Sequence, residues 1–135
     1  MDSLERQSVT APPAPDRQPP YAMEAEVSVL GGMLIDVDAV AKAVEVVDDG
    51  MFYREGHRRI FRAMARLFQR GDVVDPVTVS EELKKTEELE SAGGLPYLAE
   101  LLDAVPTAAN IEYHARIIRE RALLRRLIEA SSQII

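Results

Sequence analysis

The 135-residue chain has no cysteine and only two histidines. Without cysteine it can build neither a disulfide framework nor a thiolate metal site, and a reducing compartment such as the cytoplasm is the expected location. His57 and His114 each stand alone on a predicted helix, without the paired histidines of an H-E-x-x-H site, so neither reads as a metal ligand or a catalytic base. No stretch approaches the roughly 20 apolar residues of a membrane span. The first residues, Met1 to Ser8, carry acidic groups and no apolar core of a signal peptide, so a soluble, unexported protein with no membrane partner is expected. The phosphate-loop pattern G-x-x-x-x-G-K-[ST] occurs nowhere, neither at Gly31-Gly32 nor at Gly93-Gly94, so no ATP, magnesium or other cofactor is expected in this chain. Basic charge is also short: 16 Lys and Arg against 23 Asp and Glu give a net charge of -7. That balance disfavours a dedicated nucleic-acid surface, because phosphate binding draws on clustered cations.

What is present is helical periodicity behind a proline-rich start. Pro12, Pro13, Pro15, Pro19 and Pro20 interrupt a segment with few large apolar residues, so residues 1–20 read as a disordered tail. Met23, Val27, Leu30 and Leu34 then recur at helical spacing, with Glu24 and Glu26 near the helix start. Gly31 and Gly32 weaken that amphipathic helix by about 1 kcal/mol each relative to alanine, which calls for a compensating close approach of a neighbouring helix. Asp36 or Asp38 can cap a second helix through Val46, with Val37, Val40, Ala41, Val44 and Val47 as its apolar face, although the β-branched content leaves a strand open. Asp48-Asp49-Gly50 forms a turn. From Arg54 to Arg70, Ile60, Phe61, Met64, Leu67 and Phe68 mark a core helix stopped by Gly71.

Asp75-Pro76 is a helix start that turns Val79 and Leu83 inward. After Gly93-Gly94 a further stripe, Leu98, Leu101, Leu102 and Val105, runs to Pro106, and Thr107 can cap the next helix. Ala108 to Ile135 lacks proline and glycine, which allows a helix of about 28 residues and about 42 Å. Its stripe of Ile117, Leu124, Leu127, Ile128 and Ile134 runs past any partner the chain still offers, so a second helix or a second subunit must cover it. Because Ile134 and Ile135 end the chain without a stop signal, the helix is expected to be the first arm of a truncated helical hairpin.

The fold class expected is therefore all-α: a compact head of about five short helices over 21–106, then a long helix over 107–135. The carboxylate pairs Glu24 with Glu26, Glu81 with Glu82, and Glu87 with Glu88 read as solvated helix faces, with no pocket to shift their ionisation. Arg116, Arg119, Arg121, Arg125 and Arg126 make the one strongly basic segment. Two readings stay open for it: a nucleic-acid contact, or arginines that flank an interface stripe and pair with glutamates opposite. Tyr97, between Pro96 and Leu98, is expected to cover core with its ring and leave its hydroxyl at the surface, with a partner contact as the alternative.

Five blocks, EAEVSVLGGML (Glu24 to Leu34), FYREGHRRIFRAM (Phe52 to Met64), VDPVTVSEEL (Val74 to Leu83), GGLPYLAEL (Gly93 to Leu101) and VPTAANIEYHARIIRERALLRRLI (Val105 to Ile128), lie in one order over nearly everything after Pro20. Together they resemble the N-terminal domain of DnaB-type replicative helicases. The resemblance implies a helical head with a helical hairpin, self-association into dimers through the hairpins, and a hexamer collar built from three such pairs. It also implies docking of the C-terminal domain of primase during DNA replication, with a helicase loader as a further partner and DNA reached only through the full-length ring. Primase-sensitive positions of the family fall on Glu24, Tyr97, Ile128 and Ile134, and Ile117, Arg121 and Leu124 join them as expected interface residues. The parent protein would be an ATP-dependent 5'-3' helicase in the bacterial cytoplasm, with ATP and magnesium in an ATPase domain that this chain lacks. Pro76, and Asp48-Asp49-Gly50 before Phe52-Tyr53, depart from the residues the family more often carries there. The fragment itself is expected to be no enzyme.

Overall fold

The computed structural model describes residues 19–134, so the expectation of a disordered tail lies almost wholly outside the described residues. Among those residues there are six α-helices, one short 3-10 turn and no strand. The helices are α1 (Met23–Ile35), α2 (Val37–Val46), α3 (Glu55–Arg70), α4 (Pro76–Lys85), α5 (Gly94–Ala104) and α6 (Ile111–Ile134), with the 3-10 turn at Asp49–Met51. The all-α expectation holds, and the segment left open to a strand is the helix α2.

Helix α1 is the centre of the fold, packing on α2, α3, α5 and α6. Its second half is buried all round, Val29 to Leu34 without a break. The single apolar stripe expected from Met23, Val27, Leu30 and Leu34 is therefore too narrow a description, since a helix surrounded by four others has no solvent face left. The glycines make that possible. A Cβ at Gly31 would lie 2.5 Å from the Leu101 carbonyl oxygen and from Val105 Cγ2, and one at Gly32 would lie 3.0 Å from Ile111 Cδ1. The end of α5 and the start of α6 thus cross α1 nearly at backbone contact, and the helix-propensity loss is offset by packing density.

The ends of the helices follow local chemistry. Asp36 caps α2 by accepting from the Asp38 N–H at 3.0 Å. Asp75 and Thr78 form a reciprocal capping box with Pro76 in the first turn of α4. Gly71 ends α3 in the left-handed region, φ 79°. The long helix starts later than expected, at Ile111 and not at Ala108, because Thr107 Oγ1 accepts from Ala109 N–H and closes a local turn instead of capping the helix. At 24 residues α6 spans about 36 Å. Its core face is Ile111, Ala115, Ile118 and Ala122, at i, i+4, i+7 and i+11, a stripe less conspicuous in the sequence than its bulkier neighbours.

Glu82 is buried, contrary to the expectation of a solvated face. Arg66 and Arg70 reach it at 2.9 Å and Lys85 at 3.4 Å, and this cation cage holds its carboxyl down at about 2. The folded value lies below the unfolded one, so the contribution to stability is complete above the ordinary carboxylate range and disappears as pH falls towards 2.

Two outcomes are expected. Gly31→Ala should lower stability in urea unfolding by about 2 kcal/mol, because overpacking against Leu101 and Val105 outweighs the gain of about 1 kcal/mol in helix propensity; a stabilised variant would contradict the close crossing. Glu82→Gln should cost about 2 kcal/mol at pH 7, with the difference from the unsubstituted chain closing as melts are repeated from pH 5 down to about 2.

Candidate functional site

The seven residues singled out by sequence fall on two surfaces. Glu24 is exposed in the first turn of α1, and Tyr97 is half-buried in the first turn of α5. Both line the seam between those helices: one cavity of about 340 Å³ is bounded by Met23, Glu24, Val27, Ser28 and Ala104. Its neighbour, of about 260 Å³, is bounded by Val27, Tyr97, Glu100, Leu101 and Ala104. Val27 and Ala104 belong to both, so the two are one shallow groove. Ile117, Arg121, Leu124 and Ile128 lie elsewhere, on one side of α6 at i, i+4, i+7 and i+11. Ile117 packs partly on the core and Arg121 is half-buried, whereas Leu124 and Ile128 are about half exposed. Ile134 closes the helix, and its side chain is outside the described residues.

Beneath the groove lies a polar cluster that sequence reasoning missed. Glu26, expected on a solvated face, is buried, and so is His57. Glu26 Oε1 lies 2.8 Å from His57 Nδ1, and His57 Nε2 lies 2.7 Å from the Tyr97 hydroxyl. Tyr53 N–H donates to Glu26 Oε2 at 2.6 Å and Arg54 N–H to Oε1 at 3.5 Å. Those amides stand at the N-terminus of α3, where Arg54 offers no side-chain cap, so a carboxylate from α1 serves there with the helix dipole in its favour. Every member is satisfied when Nδ1–H donates to the carboxylate and Nε2 shares a proton with the Tyr97 hydroxyl, whose oxygen also accepts from Arg54 Nη1 at 3.3 Å.

Tyr97 therefore does not leave its hydroxyl at the surface. The hydroxyl turns inward to His57, where burial pushes it up from the ordinary tyrosine value, and the ring forms the groove wall under the Arg54 guanidinium, 5.0 Å from the ring centre. A signal for the cluster was available in the sequence. Glu26 precedes Val29, Leu30 and Met33 by three, four and seven residues, and His57 precedes Ile60, Phe61 and Met64 in the same way, so both occupy core register.

A second polar anchor ties α6 to the rest. Arg125 Nη1 donates to the Pro20 carbonyl at 2.9 Å and Nη2 to the Met51 carbonyl at 2.7 Å, with the guanidinium 5.5 Å from the centre of the Tyr53 ring. Among the described residues the five arginines of α6 form no ion pair with a carboxylate of the same chain. Arg125 is fixed by carbonyls, and Arg116, Arg119 and Arg126 are exposed. Among the described residues no group of three or more His, Asp or Glu is placed to hold a metal, and no helix is long and apolar enough to cross a membrane.

The groove, the cluster and the arm can bind and orient. Nothing in them presents an activated nucleophile or a paired acid and base at an open cavity. Residues 18–120 match the model of the DnaB-like helicase N-terminal domain. The chain is 50% identical over 119 residues to the replicative DNA helicase DnaB of Geobacillus stearothermophilus, a match covering 88% of this chain and 26% of that protein. It is 46% identical to the replicative DNA helicase DnaB of Mycobacterium leprae, covering 100% of this chain and 23% of that one. The chain thus spans about a quarter of the length of these curated relatives.

Among solved structures, the N-terminal domain of DnaB helicase from Mycobacterium tuberculosis superposes with a TM-score of 0.84 at 48% identity, over 87% of this chain and 85% of that one. A DnaB-like replicative helicase, described with its interactions with primase, superposes with a TM-score of 0.72 at 26% identity, over 84% of this chain and 27% of that one.

Glu26→Ala is expected to cost about 3 kcal/mol, because it leaves the His57 ring and the Tyr53 and Arg54 amides without their buried acceptor. Tyr97→Phe should cost about 1 kcal/mol and leave helix content unchanged; chemical unfolding followed by circular dichroism measures both, and equal losses would mean that Glu26 is not the hub of the cluster.

Proposed function

The chain belongs to the family of DnaB-like helicase N-terminal domains, and from that premise we propose that it is a non-catalytic assembly and docking module of a replicative helicase. In this reading α6 associates with a second copy through the stripe of Ile117, Leu124, Ile128 and Ile134, with Arg121 at its edge, and pairs of copies build the collar of a hexamer. The α1–α5 groove, with Glu24 and Tyr97 on its walls, receives the C-terminal domain of primase. ATP hydrolysis and strand separation belong to other parts of the whole protein, where ATP, magnesium and DNA would engage, and a helicase loader is a further partner.

The observation that carries the assembly half of this reading is the outer surface of α6. Past Ala122 the helix keeps four large apolar side chains, Leu123, Leu124, Leu127 and Ile128, between 46% and 64% exposed. Contiguous apolar surface of that kind marks a protein contact, since its exposure to water is unfavourable and its burial between helices is the usual remedy. Support for docking comes from the groove itself, with an apolar floor, polar rims and a tyrosine wall fixed from behind by His57. The solved DnaB-like helicase that is described with its interactions with primase agrees with it.

Leu124→Glu combined with Ile128→Glu should abolish self-association in light scattering while leaving the melting temperature within a few degrees of the unsubstituted chain, because neither side chain belongs to the core. Calorimetric titration with the C-terminal domain of the cognate primase should show saturable binding. A well-folded chain that neither self-associates nor binds would refute the reading for this chain.

A further inference from the structure

The groove between α1 and α5 has an unpaired carboxylate on each wall and one cation, Arg54, over the tyrosine at one end. Beyond the two cavities already described, a third shares Ser28 and Ala104 with the Glu24 cavity and continues past the end of α5, along the connection to α6, as far as His114. Its floor is apolar, built from Met23, Val27, Leu101 and Ala104. Its ionised groups are Glu24 on the α1 rim and Glu100 on the α5 rim, both exposed and neither in an ion pair among the described residues. Asp103, one helical turn beyond Glu100, is exposed on the same helix. No lysine or arginine lines any of the three cavities. Arg54 lies over the Tyr97 ring and hydrogen-bonds its hydroxyl, at one end of the groove.

We propose that this groove receives a basic amphipathic helix of a partner protein, which lays apolar side chains on the Val27–Ala104 floor and directs Lys or Arg to Glu24 and Glu100. The proposal rests on the docking reading above and narrows the chemistry of what docks. Carboxylates on both walls of an apolar groove repel anionic partners and reward cationic ones, and rim charges of this kind govern encounter rate and partner choice more than total affinity. Phosphate backbones are excluded by the same charges. Glu100 thereby becomes a specificity residue, unmarked by sequence motif because its partner lies outside the chain.

The test titrates the isotopically labelled chain, followed by NMR, with two synthetic helical peptides of one pattern, leucine with lysine and leucine with glutamate. The titrations are repeated with Glu100→Lys and with Glu45→Lys, an exposed position on α2 outside the groove that changes net charge equally. The lysine peptide should bind and the glutamate peptide should not, with shifts concentrated on Val27, Leu101 and Ala104. Glu100→Lys should weaken binding roughly tenfold at low salt and Glu45→Lys by about twofold or less, with the difference lost near 1 M salt. Equal weakening by the two variants, or shifts spread over other faces, would show a general attraction to an acidic protein and overturn the proposal. The same variants measured against the primase C-terminal domain keep the two ideas apart. Absence of binding to the unsubstituted chain overturns the docking reading and leaves the peptides to decide the groove. Primase binding that Glu100→Lys leaves unchanged keeps docking and removes the acidic groove from it.

Discussion

The close crossing of α5 and α6 over α1 at Gly31 and Gly32 is the constraint on which the remaining structure depends. With a side chain at either position, the Leu101 carbonyl and the Val105 and Ile111 side chains would have to retreat. Helix α5 would then lift from α1, the seam that forms the groove would widen, and α6 would lose the surface on which Ile111 and Ala115 sit. Small residues at helix crossings exchange helix propensity for interior packing density.

The same crossing creates the need for the buried polar cluster. Glu26 lies on the buried face of α1, so it cannot reach water and must be satisfied by its neighbours. It is satisfied by groups that themselves lack partners: the free amides at the start of α3, and a histidine placed one turn into that helix. The result is a carboxylate that specifies how α1, α3 and α5 meet, since a rotation or slide of any one of them would leave a buried charge or a buried ring nitrogen unpaired. An apolar residue at position 26 could fill the space but would not choose among nearby registers.

Much of this was legible in the sequence, and the misses have a common cause. The helix order, the capping at Asp36 and Asp75, the stop at Gly71 and the packing role of the glycine pair all depend on local chemistry, and all are found in place. The errors concern residues whose environment is set from a distance. Glu26 and Glu82 look like surface carboxylates until α3 arrives with an amide terminus for one and a row of arginines for the other. On α6 the large aliphatics dominate the sequence pattern, yet the face turned to the core is led by Ala115 and Ala122, because a helix packed at close range uses small residues. Of the candidate interface residues, Glu24 and Tyr97 are brought to one groove and the α6 residues to another surface. No local pattern could have separated those two sets, because they are divided only by the path of the fold.

The far half of α6 presents a physical problem that the chain does not solve internally. Short helices are marginal in water without an apolar face to bury, and most helical stability in proteins comes from packing. The core face of α6 ends at Ala122, and the last tertiary anchor is Arg125, whose guanidinium holds the Pro20 and Met51 carbonyls. Beyond it Leu127 and Ile128 meet no core, while the helix continues to Ile134 with no glycine or proline to end it. Past Ala122 the helix is apolar at Leu123, Leu124, Leu127 and Ile128 and cationic at Arg126, so its own packing contributes little to holding it there. Arg125, held by the Pro20 and Met51 carbonyls, fixes the direction in which that half of the helix leaves the head.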